Sequence, residues 1–382
     1  MHISGIICEY NPLHLGHQKQ FRLLRETKGA ESAIVCLMSG NFVQRGKPAL
    51  LDKQVRAKAA ILSGADLVLE LPAGAALSSA EGFAAGAVHI LAPICQSLCF
   101  GAEHPDIKSI WETARTLLSP GFSPALRQQL SQGLSFPAAR QAALELLGGD
   151  SRLLTSPNDI LAVEYAKAVL SQNVPLELLP ISRDGDYHSA EPDAENPSAT
   201  FLRREMRAGG NWQAFVPPET LECYQGAPLH TLDAGERAVL ARLRTMTEAE
   251  FAALPFGSEG LWRKLMREAR RQPRLEGILE AVKSKRYTRT RLNRMLLCAY
   301  LGLGQEDLET PPPYIRILAF NNRGREILRQ HKDAARLVNL GEDVRCPYQD
   351  LENRLDDLYG LFALPQPEPA GQAPRRRIFY TP

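Results

Sequence analysis

Over the first 200 residues, short apolar runs alternate with longer stretches in which apolar positions recur at helical spacing. Ile3 to Cys8, Ala33 to Ser39, Asp66 to Leu71, Ser97 to Gly101 and Leu176 to Ile181 are strand-sized. Helices are predicted from about Leu15, over Lys53 to Leu62 and Ala80 to Leu91, within Lys108 to Leu147, and over Asp159 to Leu170. Strands that alternate with helices predict an α/β unit with a parallel sheet covered on both faces. In such sheets ligands lie beyond the carboxyl ends of the strands, at the topological switch.

After Pro217-Pro218 the pattern becomes helical with basic faces, at Ala234 to Arg244, Gly260 to Arg271, Leu275 to Val282 and Arg289 to Tyr300. Pro311-Pro312-Pro313 interrupts the run, Tyr314 to Phe320 reads as a further strand, and helices continue to about Leu361. Pro365 to Pro374 is proline-rich and expected to be disordered. The chain therefore divides into residues 1–205, a mainly helical C-terminal domain at 206–362 and a tail at 363–382.

A length of 382 residues agrees with two or three domains. No apolar run approaches the roughly 20 residues that cross a bilayer, and Met1 to Gly5 carries no secretory signal, so a cytoplasmic protein without membrane contact is expected. The seven cysteines, at 8, 36, 95, 99, 223, 298 and 346, contain no C-x-x-C pair. Zinc ribbons and redox motifs are not suggested; reduced thiols are. Net charge is only +2, but residues 261 to 295 hold twelve Lys and Arg against three acids. A basic block in a near-neutral chain points to a polyanionic partner.

The most informative segment is Gly5-Ile6-Ile7-Cys8-Glu9-Tyr10-Asn11-Pro12-Leu13-His14-Leu15-Gly16-His17, a buried strand, a turn and a helix that opens on His-x-Gly-His. A helix N-terminus offers N–H groups and partial positive charge to an anion. Gly16 lets a nucleotide approach the backbone, and His14 and His17 share one face of the first turn, where they can donate to phosphates. No third ligand accompanies the pair, so no metal site is assigned. A second stretch, Asn196-Pro197-Ser198-Ala199-Thr200-Phe201-Leu202-Arg203, sets hydroxyls at a helix start and a cation one turn on; helix capping explains the hydroxyls equally well. It resembles the late triphosphate loop of the HxGH nucleotidyltransferases.

Cys8 to His17, Met38 to Ala49, Gly64 to Pro72, Phe100 to Glu103, Pro157 to Leu161 and Lys283 to Thr288 resemble the tRNA(Met) cytidine acetate ligase family, with matches from residue 3 to about 320. The resemblance implies a Rossmann-like HxGH nucleotidyltransferase domain, at 1–205, that binds ATP and carries the catalytic residues, followed by a tRNA-binding helical domain. It implies a ligase that activates acetate as acetyl-adenylate and acetylates N4 of the wobble cytidine of elongator tRNA(Met), to N4-acetylcytidine. ATP, accompanied by Mg²⁺, would be held by Ile7, Cys8, Glu9, Tyr10, Asn11, Pro12, Leu13, His14, Leu15, Gly16, His17, Gln18, Lys19 and Gln20, with Gly101, Asn158 and Arg183. His14 and His17 would be the catalytic pair. Around Arg183, the Asp184-Gly185-Asp186-Tyr187 context departs from the family pattern, although Tyr187-His188 is kept.

Acetate is ionised at neutral pH and needs positioning, not a general base, to attack the α-phosphate. The cytosine amino group is a poor nucleophile, and Asp66, Glu70 and Glu81 are weighed as its proton acceptor by location alone. For the RNA, Lys283, Lys285, Arg286, Arg289, Arg291 and Arg294 offer cations, and Tyr287 offers a stacking face, with Thr288 as the expected N-cap of the helix that follows. No stable protein partner is predicted. Two other readings stay open: adenylylation of a small phosphorylated metabolite, and RNA binding without catalysis.

Overall fold

The computed structural model describes residues 1–182, 197–332 and 336–382. Each expected N-terminal run is a strand: β1 (Ile3–Cys8), β2 (Ala33–Ser39), β3 (Leu67–Leu71), β4 (Ser97–Ala102) and β5 (Glu177–Ser182). The connecting helices include α1 (Leu15–Lys28), α2 (Lys53–Leu62), α3 (Ala80–Leu91) and α4 (Pro157–Gln172). Lys108 to Leu147 resolves into three helices, Ile107–Leu118, Phe122–Ser131 and Phe136–Leu146, broken at Pro120-Gly121 and near Gly133. These five strands pair in parallel in the order β3-β2-β1-β4-β5, so the order reverses beside β1. Apolar layers cover both faces: Phe83, Leu91 and Tyr165 on one, Phe21, Ile61 and Cys36 on the other.

The chain then turns helical, as expected, through α5 (Arg289–Leu301), whose N-cap Thr288 accepts from the Arg291 amide at 3.3 Å. It returns to the sheet through β6 (Ile315–Phe320), antiparallel to β3. Two short strands, β7 (Leu337–Asn339) and β8 (Phe379–Tyr380), extend β6 in parallel. The sheet has eight strands among the described residues, and it is mostly rather than wholly parallel. Gly324 permits the return, because a Cβ there would run into the Asp66 carbonyl.

The tail corrects the sequence expectation. Residues 363–382 are placed, not disordered: β8 pairs with β6, and Arg376 reaches Asp52 at 2.8 Å. Proline enrichment reads as disorder only when no partner surface waits, and here the ends of the strands supply one. The preceding helix α6 (Pro347–Gly360) is locked to the same region. Asp356 takes the Lys53 ammonium at 2.9 Å and the Asn41 amide at 3.0 Å, and the Tyr359 hydroxyl donates to the Ala49 carbonyl at 3.0 Å. The helical core also takes in Phe42 from the N-terminal half, edge-on to Tyr359 and Phe362.

At the carboxyl ends of β1 and β2 lies Arg56, fully buried on α2. Its guanidinium donates to the carbonyls of Glu9 at 2.6 Å, Ser39 at 3.0 Å, Leu51 at 2.8 Å and also Gly40. Burial pulls its pKa down from the usual arginine value, yet it stays charged. Replacing Arg56 by Met strands these four carbonyl oxygens. Urea denaturation is expected to show a loss of about 3 kcal/mol or more, only partly recovered in Arg56→Lys; an unchanged transition midpoint would refute the staple.

Candidate active site

At the end of β1 the chain turns sharply through Tyr10, which adopts a left-handed conformation at φ 43°. Its buried ring packs edge-on to His17 and Phe21, with centroids 5.0 and 5.9 Å away, so packing holds the strained turn. His14 is not inside the first turn of α1 but is its N-cap. Its Nδ1 accepts from the Gly16 amide at 3.2 Å, while His17 Nδ1 accepts from the His14 amide at 3.3 Å. This reciprocal capping box leaves each ring with its proton on Nε2, a donor. The rings lie 3.8 Å apart. Two imidazole donors thus stand side by side at a helix N-terminus.

They open on a cleft of about 1060 Å³. Ile7, Cys8, Glu9, Tyr10, Asn11, His14, Gly16, His17, Lys19 and Gln20 line it, and so do Gly101 and Asn158. Pro12, Leu13, Leu15 and Gln18 do not; Leu13 is core, and Gln18 turns away to Glu219 at 2.6 Å. Arg183, with Asp184 to Asn196, lies outside the described residues. From the second stretch, Ser198 caps the helix Ala199–Ala208, as the plainer reading held. Thr200 and Arg203 nonetheless reach the cleft, and Arg203 donates to the Asn11 carbonyl at 2.7 Å.

Gly101 and Asn158 come from segments that grip each other. Glu103 accepts from the Asn158 amide at 2.6 Å, and Asp159 accepts from the amides of Glu103 and His104 at 2.9 and 3.0 Å. The Ser156 hydroxyl and the His104 ring complete the shell around Asp159, each at 2.7 Å. Burial opposes ionisation of Asp159, but the His104 amide and ring and the Ser156 hydroxyl outweigh it and hold the carboxyl below its ordinary value.

Sequence reading missed Lys47 and Arg140, which also line the cleft. Burial, then the nearby Arg203, Arg289 and Arg45 cations, pulls the Lys47 pKa down. Cations crowded closely enough around a lysine to disfavour its charge mark a place for an anion. The signal was present in Gln44-Arg45-Gly46-Lys47, but only the fold brings Arg203 and Arg289 beside it. Conversely, Asp66, Glu70 and Glu81 do not line the cleft. Asp66 is bound by Arg25, Asn321 and the Ile34 amide, Glu70 by Lys53 and Glu81 by Lys167. Among the described residues, no group of three or more His, Cys, Asp or Glu is placed to hold a metal. All seven cysteines are free thiols, and no described helix is long and apolar enough to cross a membrane.

The basic segment splits in two. Lys283, Lys285 and Arg286 are exposed around a tight turn closed by Ser284 and Tyr287. Arg286 and the Tyr287 hydroxyl both bind Glu259, Arg289 binds Glu276 and Glu280, and Arg291 stacks on Tyr287. Farther along α5, Thr290 and Arg294 line the same cleft as the histidine pair.

The HIGH Nucleotidyl Transferase family matches residues 1–366. The tRNA(Met) cytidine acetate ligase of Acetivibrio thermocellus is 34% identical over 359 residues, covering 87% of this chain and 86% of that one. The protein of the same name from Alkaliphilus metalliredigens is 36% identical over 403 residues, covering 94% of each. The crystal structure of Thermotoga maritima TmcAL bound with α-thio ATP superposes with a TM-score of 0.88 at 30% identity, covering 100% of both chains.

Asp159→Asn is expected to cost about 1–3 kcal/mol at pH 7 by urea denaturation, because two donors then face an amide. The contribution of the depressed carboxyl is full above the unfolded value of about 3.9 and is lost as pH falls through the folded value. The gap between the two proteins should therefore narrow as the pH falls below that unfolded value; a gap independent of pH would refute this account.

Proposed function

This chain belongs to the tRNA(Met) cytidine acetate ligase family, and we propose that it joins ATP and acetate to acetyl-adenylate and acetylates N4 of the wobble cytidine of elongator tRNA(Met). The carrying observation is the pair of Nε2–H imidazoles at the capped N-terminus of α1, facing a cleft where Arg45, Lys47 and Arg203 converge. Such a site fits a triphosphate.

In the first step an acetate oxygen attacks the α-phosphorus, the bond to the bridging oxygen breaks, and pyrophosphate leaves. His14 and His17 donate to the phosphate oxygens as charge grows on them, and Lys47 and Arg203 offset the charge of the departing group. Gly101 and Asn158 hold the rest of the nucleotide, and Arg183 is assigned to the same task. Mg²⁺ would come with ATP and would help to offset the charge of its phosphates. In the second step the cytidine amino nitrogen attacks the acetyl carbon, AMP leaves, and the nitrogen loses a proton. The exposed Lys283, Lys285 and Arg286 meet tRNA phosphates, with Tyr287 as a stacking face. The enzyme acts in the cytoplasm.

Two expectations test this. His14→Asn keeps an N-cap but loses the Nε2–H donor, so its melting temperature should hold while acetate-dependent ATP–pyrophosphate exchange falls about 100-fold or more. Absence of exchange in the unmodified protein with acetate or any other short carboxylate would sink the reading, and a stable dinucleotide product would point to metabolite adenylylation instead. Charge reversal of Lys285 and Arg286 to Glu should abolish tRNA acetylation and preserve exchange, read by nucleoside analysis of the tRNA; loss of both would assign them to the nucleotide or the fold.

A further inference from the structure

At about 1060 Å³ the cleft lies at the top of the roughly 300–1,000 Å³ range of ligand pockets, and part of its wall comes from α5. Thr290 and Arg294, one turn apart, share a face of that helix. Among the described cations of the basic segment, Arg286 and Arg289 are paired with acids, but Arg294 has no carboxylate partner. Its guanidinium lies over the Phe256 ring at 5.1 Å, and its Nη1 makes one long bond, 3.4 Å, to the Gln44 carbonyl. The Nε–H is shut off from water and has no acceptor. A guanidinium at the cleft wall with one long bond and no carboxylate is a group that an incoming acceptor would satisfy.

Its surroundings hold it in register with the nucleotide motif. Gln44 sits at the tip of the hairpin formed by Phe42–Val43 and Lys47–Pro48, and its amide donates to Glu9 Oε1 at 2.8 Å. Asn293 donates to the Arg45 carbonyl at 3.3 Å. Gly46, at φ 70°, lets α5 press on the tip; a Cβ would collide with the Arg294 amide nitrogen. Glu9, Gln44 and Arg294 thus form a continuous chain of contacts from the ATP segment to α5.

Resting on the function proposed above, we propose that Arg294 is the residue that reads the acceptor base. Its planar guanidinium donates from its two Nη groups to N3 and O2, the two acceptors on the Watson–Crick edge of cytosine. Uracil presents N3–H at that position and repels the same donor. With N3 and O2 engaged, the neighbouring amino group is the free corner of the edge, and Gln44 and Glu9 hold that corner toward the adenylate.

The test uses elongator tRNA(Met) with cytidine or 3-deazacytidine at the wobble position; the analogue lacks the N3 acceptor but keeps O2 and the amino group. kcat/KM for acetylation is measured with the unmodified protein, Arg294→Ala and Arg294→Lys. Loss of N3 is expected to cost the unmodified protein at least about tenfold more than either variant, the size of a good bidentate base contact. Any intrinsic change in amino reactivity is common to all three and cancels. Arg294→Lys carries the comparison if the alanine variant does not fold. Equal losses in all proteins overturn the role of Arg294. Acetate-dependent exchange by the unmodified protein, run alongside, separates that failure from failure of acetate activation itself.

Discussion

One buried guanidinium organises the end of the sheet where the chemistry lies. Arg56 spends its donors on the carbonyls of Glu9, Ser39, Gly40 and Leu51, which end β1, end β2 and flank the hairpin. Strand ends carry carbonyls that no neighbour satisfies, and water would otherwise take them. By meeting them with one rigid planar group, the fold fixes the turn at Tyr10 relative to the loop at Gly40. The histidine pair and the cationic hairpin then line one cleft. The positive charge of Arg56 also stays at the carboxyl ends of β1 and β2, where it favours an anion.

The same two imidazole rings serve the local structure and the chemistry proposed for the cleft. Capping consumes Nδ1 of both rings, which sets the tautomer and leaves a donor on each Nε2. A cap made by serine would hold the helix equally well and offer nothing to a phosphate. The strain at Tyr10 is carried by its packing against Phe21 and His17. Backbone, cap and ligand donors are therefore set by one short segment.

That segment was legible in the sequence because everything it needs is local: an apolar run, a turn, a glycine and two histidines at fixed spacing. The five parallel strands were legible for the same reason. What escaped was long-range. Lys47 gains its meaning from Arg203 and Arg289, which lie far along the chain, and no periodicity reports such a meeting. Asp66, Glu70 and Glu81 looked available until tertiary partners claimed them. The tail was misread because Arg376 and β8 acquire order only from surfaces built by distant residues. Splitting the basic segment between an exposed turn and the cleft likewise required the hairpin, whose Gly46 contact with α5 is invisible in composition.

The antiparallel seam between β3 and β6 has a consequence for biosynthesis. Leu71 and Phe320 are separated by most of the chain, so a ribosome adding about 5–20 residues per second leaves the flank of the nascent sheet bare for on the order of 10–50 s. An open, apolar strand flank invites pairing with another unfinished chain. Dense polysomes should therefore be the setting in which this protein most needs a chaperone, and release of the completed polypeptide the moment at which that need ends.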